Sequence, residues 1–326
     1  MANILLDLSD CKGIEGHWSG GGFVMDSLRP LHSKRHGIYV DGFIEKSHSW
    51  NYYDNKREGI IPYSKPWIGF IHNPQNPPIW FDTYNSPQKI LSRDCTLKSL
   101  ESCKAIFCLS EYHKVWVEDH IRNKLGYDIP VFTVKHPTEV PHKKWCYHKF
   151  VSKKRNNRIV AQIGFWLRKM TSIVFLQTEY RRIWLSGQKY AKEMFEIEKR
   201  MLDHPSQVYN NWDGFEIWDH IENKEYDDLL SSCIVFVDLY DSSANNAIIE
   251  CIARNTPIIV NRLPATEEYL GANYPLYFET LEEASEMLLN EHLILQAHKY
   301  LFNMDKDFLR QDTFRNTVAK HLTGVL

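Results

Sequence analysis

Ser243, Asn246 and Glu250 recur at spacings of three and four residues. The same stretch sets Ala244, Ala247, Ile248, Cys251 and Ile252 at i, i+3, i+4, i+7 and i+8, an apolar face for packing on a sheet. The spacing predicts a helix over 244–254, entered from the apolar run Cys233–Leu239 through the polar turn Tyr240-Asp241-Ser242-Ser243. Ser242 or Ser243 suits the N-cap, and Asn255 before Thr256-Pro257 ends the helix. A helix N-terminus offers unsatisfied N–H groups and a partial positive charge, so phosphate or diphosphate is the guest this arrangement suits. Glu250, two turns in, could then accept hydrogen bonds from ribose hydroxyls. On pattern alone the cluster reads equally as a plain helix cap with a solvated Glu250.

Other chemistry-bearing residues are more scattered. His72 ends the apolar run Pro66–His72. Glu15 and His17 lie in a glycine-rich loop that runs from Gly13 to Gly22 and includes Gly20, Gly21 and Gly22. Each histidine suits a structural or a catalytic role. The rigid loop Asn73–Pro78, followed by Trp80 and Phe81, suits a sugar platform or a packed surface loop. His142, Cys146 and His148 lack a fourth ligand and zinc spacing, so no metal site is expected. Asp238-Leu-Tyr-Asp241 is not an Asp-x-Asp pair, and no dinucleotide fingerprint, Walker A loop or nucleophile elbow occurs.

The elements that must hold these residues alternate. Strands are expected at 3–8, 37–43, 66–72, 106–109 and 130–134, with helical spacing over 23–28, 92–103 and 111–123. The alternation restarts with strands at 158–164, 182–185, 233–239 and 257–261, and helices at 189–202, 226–231, 244–254 and 281–290. Strand–helix alternation implies parallel sheets whose ligands sit beyond the carboxyl ends of the strands. Between the two runs no acidic residue occurs from Glu139 to Glu179, while Lys143, Lys144, Lys149, Lys153, Lys154, Arg155 and Arg158 accumulate. The expected division is 1–140, a basic linker over 141–157, a second domain over 158–300, and a C-terminal helix over 301–326 packing back on the first domain. The linker's charge suits a solvated connection or a peripheral contact with an anionic membrane surface.

Composition bounds the function. The chain has 326 residues and a formal net charge of −2, which argues against a globally basic nucleic-acid binder. Aromatic residues make up 13%, enough to argue against disorder and to suit ring-shaped ligands. Seven cysteines without a CxxC pair, no glycosylation sequon and no leader-like N-terminus favour a cytoplasmic protein.

The segment I-I-E-C-I-A-R-N-T-P-I-I-V-N, followed by E-E-Y-L-G, resembles the C-terminal half of GT-B-fold glycosyltransferases, specifically the retaining group 1/family 4 enzymes. The resemblance implies an α/β, GT-B protein: two Rossmann-like, doubly wound parallel-sheet domains facing a cleft. The N-terminal domain would take the acceptor and the C-terminal domain a UDP-, GDP- or ADP-sugar, with no cofactor and no metal. Glu250 matches the second Glu of the family's E-x7-E, which binds the donor ribose. The first Glu is replaced by Ser242, next to Asp241, which leaves stereochemistry open. Gly164, Arg168 and Lys169 resemble the family's glycine and diphosphate-neutralising cations. Asn245, Asn246 and Ala247 match its diphosphate amides. Ser243, Ile221, Gly21 and Gly22 complete the implied donor set, and His72, His17 and Glu15 are the implied catalytic candidates. The implied function is metal-independent sugar transfer from a nucleotide sugar to a hydroxyl acceptor: a glycan, a lipid-linked glycan or a glycoprotein. A nucleotide-sugar epimerase and a non-catalytic nucleotide- or sugar-binding protein are the alternatives.

Overall fold

The computed structural model describes residues 4–9, 11, 20–187, 189–203 and 211–325. Glu15 and His17 lie outside them. The chain separates into two compact units. The first comprises Met1–Glu139 with Asp241–Ala244 and Asp307–Leu326; the second comprises Val140–Tyr240 and Asn245–Lys306.

The first unit is built on five parallel strands, β1 (Leu6–Asp7), β2 (Ile38–Asp41), β3 (Trp67–Ile71), β4 (Cys103–Cys108) and β5 (Val131–Thr133), in spatial order of sequence. β3 is buried at every position, as expected of a parallel strand covered on both faces. One face packs Ile68, Phe70, Ala105 and Phe107 under the Gly21–Leu28 helix and under Phe314, Val318 and Leu322 of the helix Gln311–Thr323. The other packs Trp67, Ile71, Ile106 and Cys108 against Ile90, Leu91, Leu100, Val117 and Ile121.

The second unit carries six parallel strands: β6 (Ile159–Ile163), β7 (Arg181–Leu185), β8 (Phe215–Trp218), β9 (Ile234–Val237), β10 (Ile258–Asn261) and β11 (Tyr277–Phe278). Their order is β11-β10-β9-β6-β7-β8. The chain winds outward from β6 to β8, then returns to the other side of β6 and winds outward again. β6 and β9 are therefore neighbours at the point where the order reverses, where doubly wound sheets bind ligands.

Three expectations are corrected here. Residues 141–157, expected as a linker, are docked on the second unit. Trp145 and Phe150 are buried, the Trp145 indole donates to the Cys233 carbonyl at 2.7 Å, and Tyr147–Val151 is a short helix. Two aromatic anchors are enough to seat a segment that has no hydrophobic period. The helix expected from residue 244 runs over Asn246–Arg254 and is buried at every position from Ala247 to Arg254, so Glu250 is not solvated. β8 and β11 escaped the pattern because neither is a long apolar run.

Candidate active site

The carboxyl end of β6 turns sharply. Gly164 has φ +75 and Leu167 has φ 54, two left-handed residues within four positions. For leucine that conformation is costly and is typical of strained functional loops. Trp184 anchors the turn by donating its indole N–H to the Gly164 carbonyl at 2.9 Å. A Cβ on Gly164 would stand 3.3 Å from the guanidinium carbon of Arg168, so glycine is what lets the guanidinium fold back onto this loop.

Arg168 is 9% exposed. It donates Nη1–H to the Trp166 carbonyl at 2.7 Å and Nη2–H to Asn245 Oδ1 at 3.2 Å. Its Nε is buried without a hydrogen-bond partner. Burial pushes the guanidinium down to about 10, partly opposed by Tyr226 and Glu250. A buried guanidinium with an unused N–H carries a desolvation cost that an anion would offset.

Asn245, not Ser242 or Ser243, is the N-cap of the Asn246–Arg254 helix, accepting from the Ile248 N–H at 3.4 Å. One side-chain oxygen thus ties the helix N-terminus to Arg168. The Asn246 and Ala247 amides fall in the first turn, where no preceding turn supplies acceptors. Glu250 is 0% exposed and accepts a hydrogen bond from the Tyr226 hydroxyl. Burial, together with the Glu250 charge, pushes the Tyr226 phenol well above its usual range, so it stays a donor.

Lys169 follows Arg168, but its ammonium is 2.9 Å from the Asp238 carboxylate, itself bonded by the Ser172 hydroxyl at 2.8 Å. Asp241, Ser242 and Ser243 belong to the first unit. Asp241 Oδ2 accepts the Asn76 N–H at 2.9 Å, its Oδ1 accepts the Ser242 N–H at 2.8 Å, and the Ser243 hydroxyl stands 3.0 Å from His113 Nδ1. The two serines miss the cap because this turn is fastened to first-unit groups far away in sequence. Ile221 lines a separate cavity of about 470 Å³ with Ile159, Trp218, Glu225, Asp228, Leu229 and Ser232. Gly21 is exposed and Gly22 half-buried, both in the first turn of the Gly21–Leu28 helix.

A second cluster, missed in the sequence except for His72, occupies the carboxyl end of β3. Glu45 is 0% exposed, and its Oε1 accepts the backbone N–H groups of His72 and Asn73, each at 2.7 Å. Its Oε2 lies 3.4 Å from His72 Nδ1. Burial raises the Glu45 carboxyl, but the His72 ring and these amides outweigh it and hold it below the ordinary range. An ionised carboxylate cannot donate, so the ring N–H at Nδ1 faces Glu45 and Nε2 is left for other partners. Nothing in the sequence links Glu45 to a residue 27 positions away. Of the expected sugar platform, Phe81 is core and Trp80 half-buried.

Among the described residues no group of three or more His, Cys, Asp or Glu side chains is placed to hold a metal ion. Among them, too, no helix is long and apolar enough to cross a membrane.

No protein-family model and no curated protein matches the chain. Solved structures do. A sucrose-phosphate synthase from Thermosynechococcus elongatus is 12% identical, with a TM-score of 0.62 over 98% of this chain and 87% of that one. An alpha,alpha-trehalose-phosphate synthase (UDP-forming) from Burkholderia vietnamiensis is 11% identical, with a TM-score of 0.55 over 88% of this chain and 72% of that one. S. aureus TarM, in complex with Fondaparinux, alpha-GlcNAc-glycerol and UDP, is 11% identical, with a TM-score of 0.57 over 87% of this chain and 55% of that one. At these identities the likeness establishes the fold: the two parallel-sheet α/β units are those of GT-B.

Proposed function

We propose that the protein is a glycosyltransferase that moves a sugar from a nucleoside diphosphate sugar to a hydroxyl acceptor. The observation that carries this reading is the Arg168 guanidinium, buried at the switch point of the second sheet and tied through Asn245 to a helix N-terminus. A diphosphate there would meet backbone amides and an unused guanidinium N–H, and the leaving group's growing charge would be held without solvent reorganisation. The structures it is similar to support the reading, since they include a UDP-forming synthase and a complex with UDP.

In this proposal the Asn246 and Ala247 amides and Arg168 bind the diphosphate, Glu250 the ribose, and Gly164 keeps the loop clear. Lys169 adds charge once it leaves Asp238. His72 serves the acceptor or donor sugar, and Gly21, Gly22 and Ile221 remain expected donor contacts. The cations replace a metal ion, so turnover proceeds in EDTA. The cytoplasm is the proposed compartment. Peripheral membrane contact through residues 143–158 is a lesser part of the proposal, because Lys143 pairs with Asp228, Lys144 bonds the Ala253 carbonyl and Arg158 pairs with Glu291.

The test is release of free nucleoside diphosphate from UDP-, GDP- and ADP-sugars in the presence of a glycan acceptor. One donor should be turned over with a new glycosidic bond, and Arg168→Ala/Lys169→Ala should lose on the order of 100-fold or more in kcat. Donor consumed without a glycosidic product, or a double variant with unchanged kcat, would overturn the reading.

A further inference from the structure

Behind His72 the first unit continues into an aromatic surface with no role in the donor site. The chain is helical from Ile44 and continues as one wide helical turn over Lys46–Trp50. Ile44, Glu45, His48 and Ser49 point inward and are buried, while Trp50 is 52% exposed. The Phe43 ring sits between two others: its centroid is 5.1 Å from the Trp50 indole, edge to face, and 4.6 Å from the His72 imidazole. Two ring contacts in series place the indole and the imidazole within the span of one or two sugar rings.

Each part is fixed in advance. Phe43 wedges the indole from one side, so a large apolar ring is held out to solvent in a set orientation. His72 is held by Glu45 through its ring and its backbone N–H, while 25% of its side chain stays exposed. No hydrogen bond to His72 Nε2 occurs among the described residues, while Glu45 engages the other ring nitrogen. An exposed aromatic face beside one oriented ring nitrogen matches a pyranose. The axial C–H bonds of a pyranose are polarised toward the negative face of an indole, and its equatorial hydroxyls project sideways as donors. A nucleobase would stack on the indole as well, and the nucleosides in the test below separate the two.

We propose that Trp50, Phe43 and His72 form a subsite for a pyranose ring of a carbohydrate acceptor, with the Trp50 indole as the stacking face and His72 Nε2 hydrogen-bonded to a sugar hydroxyl. That the carbohydrate is an acceptor rests on the glycosyl-transfer reading; the pyranose subsite itself does not. Glu45 is the positioning residue that holds the His72 ring by its Nδ1 edge.

The test uses the full chain labelled with 5-fluorotryptophan. The Trp50 resonance, identified by its absence in Trp50→Phe, is followed by ¹⁹F NMR during titration with methyl glycosides of glucose, galactose, mannose and N-acetylglucosamine, and with uridine and adenosine. At least one glycoside should shift Trp50 saturably. Its affinity should fall roughly three- to tenfold in His72→Ala, the loss of one hydrogen bond. In Glu45→Gln, the ¹⁵N shifts of the His72 ring should move away from the Nδ1–H tautomer. A Trp50 signal unmoved by every glycoside, or moved only by the nucleosides, overturns the subsite. UDP, GDP and ADP are titrated into the same sample. A glycoside response with no nucleotide binding keeps the subsite and overturns glycosyl transfer; nucleotide binding with a silent Trp50 does the reverse.

Discussion

At the end of β6 a buried cation meets a helix N-terminus; at the end of β3 a buried anion sits behind a histidine. Arg168 is burdened by its burial, keeps an unpartnered N–H and is pushed down to about 10. Glu45 is as deeply buried but has two backbone N–H groups at 2.7 Å and the His72 ring, and its carboxyl is held below the ordinary range. The first arrangement is unfinished and suits a charged ligand. The second is internally complete and suits the fixing of one ring. Burial alone therefore does not distinguish the two groups; the hydrogen bonds around each do.

The largest effect that could break this contrast is at Arg168. Arg168→Ala should lower turnover of a nucleotide sugar by about 100-fold or more, measured as kcat in steady state. A loss confined to donor KM would make Arg168 a ground-state contact only. Next, Glu250→Ala should weaken nucleoside diphosphate binding by roughly 1.5–3 kcal/mol in calorimetry, the cost of removing a charged acceptor. Unchanged affinity would leave Glu250 as the buried partner of Tyr226 and nothing more.

The carboxylates of the first unit sharpen the contrast through pH. Asp41, four residues before Glu45, is also buried, and burial pushes it up to about 6 against hydrogen bonds that include the Phe43 N–H at 3.0 Å. A raised acid favours the fold below its unfolded value of 3.8, and that contribution is lost as pH rises through about 6. Asp41→Asn should therefore gain stability relative to wild type at pH 7.5 but not at pH 4. Glu45 has the opposite sign. Its folded value is depressed, so its contribution is present above the unfolded value of 4.5 and lost as pH falls through the folded one. Glu45→Gln should cost of order 1–3 kcal/mol at pH 7, shrinking on acidification, in urea melts at the two pH values. Equal pH slopes for both variants would erase the distinction.

The smallest effect concerns Ser243. Its hydroxyl meets His113, whose ring burial pushes down to about 4 and so keeps neutral. Ser243→Ala should cost about 0.5–1.5 kcal/mol of stability and leave nucleotide affinity unchanged.

The legibility of the two clusters follows from their connectivity. The turn Gly164–Lys169 and the helix at Asn246 are each continuous in sequence, with a glycine, a polar turn and an apolar period to mark them. The parallel sheets were legible for the same reason, because a strand buried on both faces is a continuous apolar run such as Cys233–Leu239. The Glu45–His72 contact joins a loop before an irregular helix to a strand end, and no local period signals such a pairing. Ser243 shows the converse failure. Its local signal is that of an N-cap, but the His113 ring outcompeted the helix for its hydroxyl. Trp50 carries no sequence signal at all, since an exposed aromatic residue in one helical turn looks like any other.

The central claim is that Arg168 and the Asn246 helix N-terminus hold a nucleoside diphosphate. It is tested most directly by calorimetric titration of UDP, GDP and ADP into the wild-type chain and Arg168→Ala, with circular dichroism to confirm the fold of both. At least one nucleotide should bind the wild type saturably and the variant at least tenfold more weakly. Binding of none of the three to the wild type, or equal affinity in both proteins, would contradict it.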